Sequence, residues 1–140
     1  MKFEPPRDIH ISRYPQILIA EDDPAIKELL KMVLTKVDHW SITFVDCGAK
    51  AVSAWSSRVF DVIIMDVGLP GMDGISATRK IRKMEANGNL IKTPIIALTA
   101  QSDSINDCME AGMDAFISKP FSTIALIETI KKYFEKICLL

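Results

Sequence analysis

The chain has 140 residues, 49% of them hydrophobic and 25% charged, with a formal net charge of −1 at pH 7. That length suits one domain with a substantial core, the composition excludes a disordered chain, and the charge balance gives no overall positive field to attract nucleic acid or an anionic membrane. No apolar run approaches the roughly 18 residues of a membrane span.

Lysines and arginines are scattered singly or in pairs, as on solvated helix faces. Cys47, Cys108 and Cys138 are odd in number and lack metal-ligand spacing. With no secretory signal at the N-terminus, they read as reduced thiols. The expected location is the cytoplasm, or the cytoplasmic side of a larger membrane protein.

Residues 1–15 carry Pro5, Pro6 and Pro15 without sustained periodicity and read as a leader or linker before a domain at 16–140. From Gln16 the pattern alternates strand and helix five times. Ile17–Ala20 is a wholly apolar run, as expected for a strand covered on both faces. Glu21-Asp22-Asp23 ends it, with Asp23 placed to cap a helix whose first position is Pro24. Ile26, Leu29, Leu30, Val33, Leu34 and Val37 then form one apolar stripe.

A second strand is expected over Ser41–Val45, with a helix over about 49–58 that turns Val52 and Trp55 inward. The third strand is Asp61–Met65, followed by a loop, Asp66 to Gly74, dense in turn formers. A helix over about 75–85 stops near Asn87-Gly88, a pair suited to a left-handed cap. Pro94 introduces a strand over Ile95–Leu98, and a weaker helix covers about 104–111. Ala115–Ser118 is a short last strand. The final helix, over about 123–137, places Ile124, Ile127, Ile130, Phe134 and Ile137 on one predicted face. Short strand–helix alternation implies right-handed crossovers and an α/β fold. Five strands suit the flavodoxin-like doubly wound (βα)5 arrangement, a parallel sheet in order 2-1-3-4-5, with function at the carboxyl ends of the strands.

Polar residues that end the apolar runs should gather at that edge: Glu21 and Asp22 after strand one, Asp66 after strand three, Thr99 after strand four, Lys119 after strand five. Strands one and three are neighbours in this order, so three carboxylates converge, which is unfavourable unless a cation neutralises them. An oxygen-only, incomplete shell suits Mg²⁺, with Mn²⁺ as a substitute. Phosphoryl transfer requires such a metal and donors for the moving group. Thr99 offers a hydroxyl, Lys119 an ammonium, and an aspartate can accept a phosphoryl group as an acyl phosphate. The plainer explanation, a helix cap or turn, fits Asp23 and Asp73. It does not account for Glu21, Asp22 and Asp66 together.

The stretches ILIAEDDP, VIIMDVGLPGMDG, PIIALTA and FISKPF, in this order, resemble the four landmark segments of response-regulator receiver domains. The resemblance covers about residues 16–137. It implies that Asp66 is the phospho-acceptor, Asp22 a direct Mg²⁺ ligand, Glu21 an acid holding the metal through water, and the Gly68 backbone carbonyl a further ligand. Lys119, ahead of a cis peptide to Pro120, would contact the phosphoryl group. Phe116 matches the aromatic switch that moves inward as Thr99 moves toward the phosphate.

Two positions depart from common forms. Gly68 stands where many relatives carry a larger residue, and Phe116 lacks the hydroxyl of the tyrosine found in some. The implied donor is a histidine kinase or a histidine-containing phosphotransfer domain, with no direct nucleic-acid contact and no membrane insertion. The chain would be a self-phosphorylating switch rather than a turnover enzyme, with output through its surface or a partner. Pairing of two copies through helix 4, strand 5 and helix 5 would include Ile105 and Met109. The ALTAQ and AGMDAFISKPF wording is nearer to receivers of hybrid sensor histidine kinases than to those fused to DNA-binding domains. A degenerate receiver, binding partners without phosphorylation, is the competing reading. A haloacid-dehalogenase-type phosphatase would need a second aspartate where Gly68 stands.

Overall fold

Five short segments lie side by side, the central three because they are hydrophobic on both faces and can be buried only between two layers of helices, the two outer ones only partly buried. In the computed structural model, which describes residues 14–37 and 39–138, they are β1 (Gln16–Ala20), β2 (Ser41–Val45), β3 (Val62–Asp66), β4 (Ile95–Thr99) and β5 (Ala115–Ser118). They form one parallel sheet in the order β2-β1-β3-β4-β5, as expected. Residues 1–13 of the expected leader lie outside the described residues. Pro15 already belongs to the sheet edge, its carbonyl accepting the Ser41 N–H at 2.9 Å.

The two-residue period of a strand divides the core into two halves. Leu18, Ala20, Ile63, Met65, Ile95 and Ala97 face α2 (Gly48–Ser57) and α3 (Gly74–Asn87), meeting Ala51, Val52, Ala77 and Ile81. Ile17, Ile19, Val62, Ile64, Ile96 and Leu98 face α1 (Pro24–Leu34) and α5 (Thr123–Cys138), meeting Leu30, Leu34, Leu126 and Ile130. The short helix α4 (Ile105–Ala111) adds Cys108 to the first half.

Helix starts follow the chemistry expected of them. Asp23 caps α1 by accepting from the Ala25 and Ile26 amides, with Pro24 in the first turn. Asp73 caps α3 by accepting from Ser76.

Three expectations need correction. The left-handed residue after α3 is Asn89, with φ of 53°, whereas Gly88 has φ of −92°. The left-handed glycine cap belongs instead to α4, at Gly112. Ile124 is 68% exposed, because the buried stripe of α5 centres on Leu126 and Ile130, and a residue two positions before Leu126 lies about 200° around the helix. Leu29 sits on the exposed margin of the α1 stripe. Trp55 is half-buried, its indole N–H donating to the Thr93 hydroxyl at 3.2 Å.

Candidate active site

Strand ends position every side chain of the site. The register places Ala20 beside Met65, so Glu21, one residue on, stands next to Asp66, the last residue of β3. Backbone hydrogen bonds then fix the segments beyond the strands. The Glu21 amide donates to the Val45 carbonyl at 3.0 Å, and the Lys119 amide donates to the Thr99 carbonyl at 2.7 Å. The Lys119–Pro120 peptide is cis.

The structure brings together Glu21, Asp22, Asp66 and Lys119. Glu21, Asp22 and Asp66 each offer a carboxylate oxygen, and the three lie within 4.8 Å of one another. Glu21 and Asp66 are buried, whereas Asp22 is exposed at the mouth. The Lys119 ammonium reaches across from β5 to Glu21 Oε1 at 3.0 Å and Asp66 Oδ2 at 3.1 Å. Two backbone amides complete the frame. Asp23 N–H donates to Glu21 Oε2 at 3.0 Å, and Gly68 N–H to Asp66 Oδ1 at 3.1 Å.

One ammonium cannot neutralise three carboxylates. At an effective dielectric constant of about 20, two such charges 4.8 Å apart repel by roughly 3 kcal/mol. Burial raises the Glu21 pKa, its amide and lysine partners lower it, and Asp66 raises it further. For Lys119 the strongest influence is burial, which favours the neutral form, but its contacts with Glu21 and Asp66 prevail and leave the pKa above the ordinary value of 10.5. Glu21 Oε1 is fully enclosed and accepts no hydrogen bond of good geometry, having only the charge of Lys119 beside it. A cluster of hard oxygens with excess negative charge and an unsatisfied buried acceptor fits a small divalent cation.

Thr99 and Phe116 lie at the same edge but outside this cluster. The Thr99 hydroxyl donates to the Ile117 carbonyl of β5 at 3.4 Å, and the Phe116 ring is 44% exposed. Asp73 and Asp23 serve as the helix caps already described.

Two glycines, Gly48 and Gly74, hold the loop after Asp66. A Cβ on Gly74 would stand 2.2 Å from the Asp66 carbonyl oxygen, and one on Gly48 would stand 2.2 Å from that of Met72. No local signal marks either position, because the demand comes from backbone that meets it only in the folded chain.

Comparison with known proteins gives an independent view. A family model described as "Response regulator receiver domain" matches residues 17–131. Over 124 residues the chain is 36% identical to sensor protein GacS of Pseudomonas syringae pv. syringae, a match covering 87% of this chain and 14% of that protein. Thus the chain spans a small part of that curated relative's length.

Among solved structures, the receiver domain of sensor histidine kinase PA1611 from Pseudomonas aeruginosa, with a magnesium ion coordinated in its active-site cleft, aligns with a TM-score of 0.77 and 35% identity. That alignment covers 87% of this chain and 98% of the other. The receiver domain of Ssk1 from Saccharomyces cerevisiae, crystallised with the histidine phosphotransfer protein Ypd1, gives a TM-score of 0.80 at 27% identity, over 91% and 94% of the two chains.

Proposed function

Because the chain belongs to the response-regulator receiver domain family, we propose that Asp66 is the phosphoryl acceptor of a phosphorelay and that its modification alters partner binding. The observation that carries this reading is the Lys119 ammonium, which lies 3.0 Å from one buried carboxylate and 3.1 Å from another, inside a cluster that retains excess negative charge.

Asp22, Asp66 and the Gly68 carbonyl would hold Mg²⁺ directly, with Glu21 acting through water and Mn²⁺ able to substitute. Mg²⁺ supplies positive charge to the acids and to the phosphoryl oxygens that approach them. Asp66 then attacks the phosphorus of a phosphohistidine. A P–O bond forms, the P–N bond breaks, and the donor imidazole leaves and takes up a proton. Lys119 exchanges part of its contact with Asp66 for the incoming phosphoryl oxygen, and Glu21 keeps the ammonium oriented during that exchange.

Signalling follows from the two residues at the rim. Thr99, now turned to the Ile117 carbonyl, rotates toward the acyl phosphate, and Phe116, now outward, fills the space released. This is a shift between two packings biased by phosphate contacts. The ring carries no hydroxyl, so packing alone transmits the change.

The donor is a histidine kinase or a histidine-containing phosphotransfer protein, as the Ypd1 complex of the similar Ssk1 receiver supports. The similarity to GacS and PA1611 supports a place within, or beside, a hybrid sensor kinase. Among the described residues no helix is long and apolar enough to cross a membrane. Ile105 and Met109, both exposed, lie on α4, one of the elements through which two copies would pair, with β5 and the exposed side of α5.

The test is labelling with acetyl phosphate or a phosphorylated donor domain. A single Mg²⁺-dependent phosphoryl adduct is expected on the wild type and none on Asp66→Asn. Undiminished labelling of the variant overturns the assignment.

A further inference from the structure

Helix α2 begins at Gly48 without a side-chain cap, for Cys47 holds the capping position and only its backbone carbonyl accepts, from the Ala51 amide at 3.1 Å. A helix start leaves N–H groups that need acceptors. Here one comes from far along the chain, as the Gly48 N–H donates to the Met72 carbonyl at 3.1 Å. The approach leaves no room for a side chain. A Cβ on Gly48 would lie 2.2 Å from the Met72 carbonyl oxygen, 2.9 Å from its carbon and 3.0 Å from the Asp73 carbonyl oxygen. All three atoms are backbone, so no rotamer change relieves the overlap, and either the helix or the loop must move.

The loop in question runs from Asp66 to Gly74 and carries Gly68. At its far end the Gly74 amide donates to the Val67 carbonyl at 3.0 Å, and Gly74 lies flat against the backbone of Asp66. Between these points Val67 and Leu69 are buried in the core half that contains Ala51 and Val52 of α2, whereas Gly68, Pro70 and Gly71 face solvent. The near part of the loop is held by the Val67 amide on the Leu98 carbonyl and the Gly68 amide on Asp66 Oδ1, and its far part by the two glycine contacts, with Val67 and Leu69 buried between them.

We propose that Gly48 is a positioning residue of the site, holding Met72 against α2 and so fixing the loop that offers Gly68 and Asp66 to the cation. The proposal rests on the metal reading above. Mg²⁺ tolerates little departure from ligand distances of about 2.0–2.1 Å, and residues that orient ligands without touching the ion typically govern about 10–100-fold in affinity. A loop moved by the width of a methyl group should forfeit at least the lower figure.

The experiment compares wild type, Gly48→Ala and Gly112→Ala by thermal unfolding without Mg²⁺ and by Mg²⁺ titration. Gly112→Ala is the control for general damage, because its Cβ would press on Arg82 at a positive φ, on a separate part of the fold. Gly48→Ala is expected to bind Mg²⁺ about tenfold more weakly, while Gly112→Ala loses thermal stability with unchanged affinity. Equal affinity for Gly48→Ala and wild type overturns the proposal, as does a comparable affinity loss in the control.

Should Gly48→Ala not fold, the wild type still decides the matter. In an NMR titration the Gly48 amide should shift with Mg²⁺ along the same curve as the Gly68 amide, and a Gly48 amide that stays still overturns the proposal. A wild type that binds no Mg²⁺ at all overturns the metal reading itself, and the role of Gly48 with it.

Discussion

Replacing Lys119 by methionine keeps the aliphatic stem and removes the only ammonium among the described residues in contact with Glu21 and Asp66. At about 3 Å and an effective dielectric constant of about 20, each contact has a gross Coulomb energy of roughly 5 kcal/mol. Desolvation of the lysine and repulsion between the two acids offset much of that. Removing one partner of a buried pair typically costs about 3–5 kcal/mol. Lys119 is partly exposed, so the lower end applies, about 3 kcal/mol, or roughly 10 °C in Tm for a domain of this size.

The sign against pH is specific. The Lys119 pKa is raised, so its contribution is complete below the ordinary lysine value and is lost only as pH rises through the elevated one. The Glu21 pKa is also raised, which in a carboxylate destabilises the fold as pH rises through that value, and loss of Lys119 raises it further. The deficit of Lys119→Met should therefore shrink as pH falls and Glu21 takes up a proton. Mg²⁺ should shrink it too, since the ion restores positive charge to the same oxygens. Thermal unfolding at pH 7 and pH 5, with and without Mg²⁺, measures all of this. A deficit indifferent to both pH and Mg²⁺ would mean that Lys119 acts through packing, and the electrostatic account of the site would be wrong.

Two further outcomes are expected. Arg82 donates to Glu85 Oε1 at 2.8 Å, Asp114 Oδ2 at 2.9 Å and the carbonyls of Thr93 and Gly112, so Arg82→Ala strands the buried Glu85 and should cost about 3–5 kcal/mol in denaturant unfolding. The Arg82→Ala/Glu85→Ala double variant should lose less than the sum of the singles, and simple additivity would show that the pair is not coupled. A Cβ on Gly68 would meet only Asp66 Oδ1, at 3.9 Å, so a larger residue fits there beside the acceptor. Gly68→Asn should lengthen the life of the acyl phosphate by screening it from water, and equal lifetimes would remove Gly68 from the account.

What was legible in the sequence was the end of the sheet at which apolar runs stop on polar residues. Glu21, Asp22 and Lys119 stand within two residues of a strand end and Asp66 is itself the last residue of β3, and the doubly wound order alone brings β1 beside β3. The direction of the Thr99 hydroxyl could not be read, because it depends on a β5 carbonyl that only the sheet register brings near. Gly48 falls just before the expected helix with nothing to mark its contact with Met72, and Ile124 falls on the predicted core face, for the same reason. Each depends on which side of an element meets a neighbour, and periodicity fixes that only to within a residue or two at helix ends.

Two acidic clusters occupy opposite ends of the sheet, and their contrast separates structure from function. At the amino ends of β4 and β5, Glu85 receives Arg82 on one oxygen and the Thr93 amide on the other, at 2.8 and 2.7 Å, while Asp114 receives Arg82 and the Ile95 amide, at 2.9 and 2.8 Å. These partners supply the hydrogen bonds that buried acids require, and the cluster ties α3 to the starts of two strands. At the carboxyl ends, Glu21 Oε1 is buried with only the Lys119 ammonium beside it, and that lysine contacts two of the three acids. A fold with donors enough to satisfy the first cluster, yet an uncompensated second one, keeps its unmet negative charge where a cation and a phosphoryl group would use it.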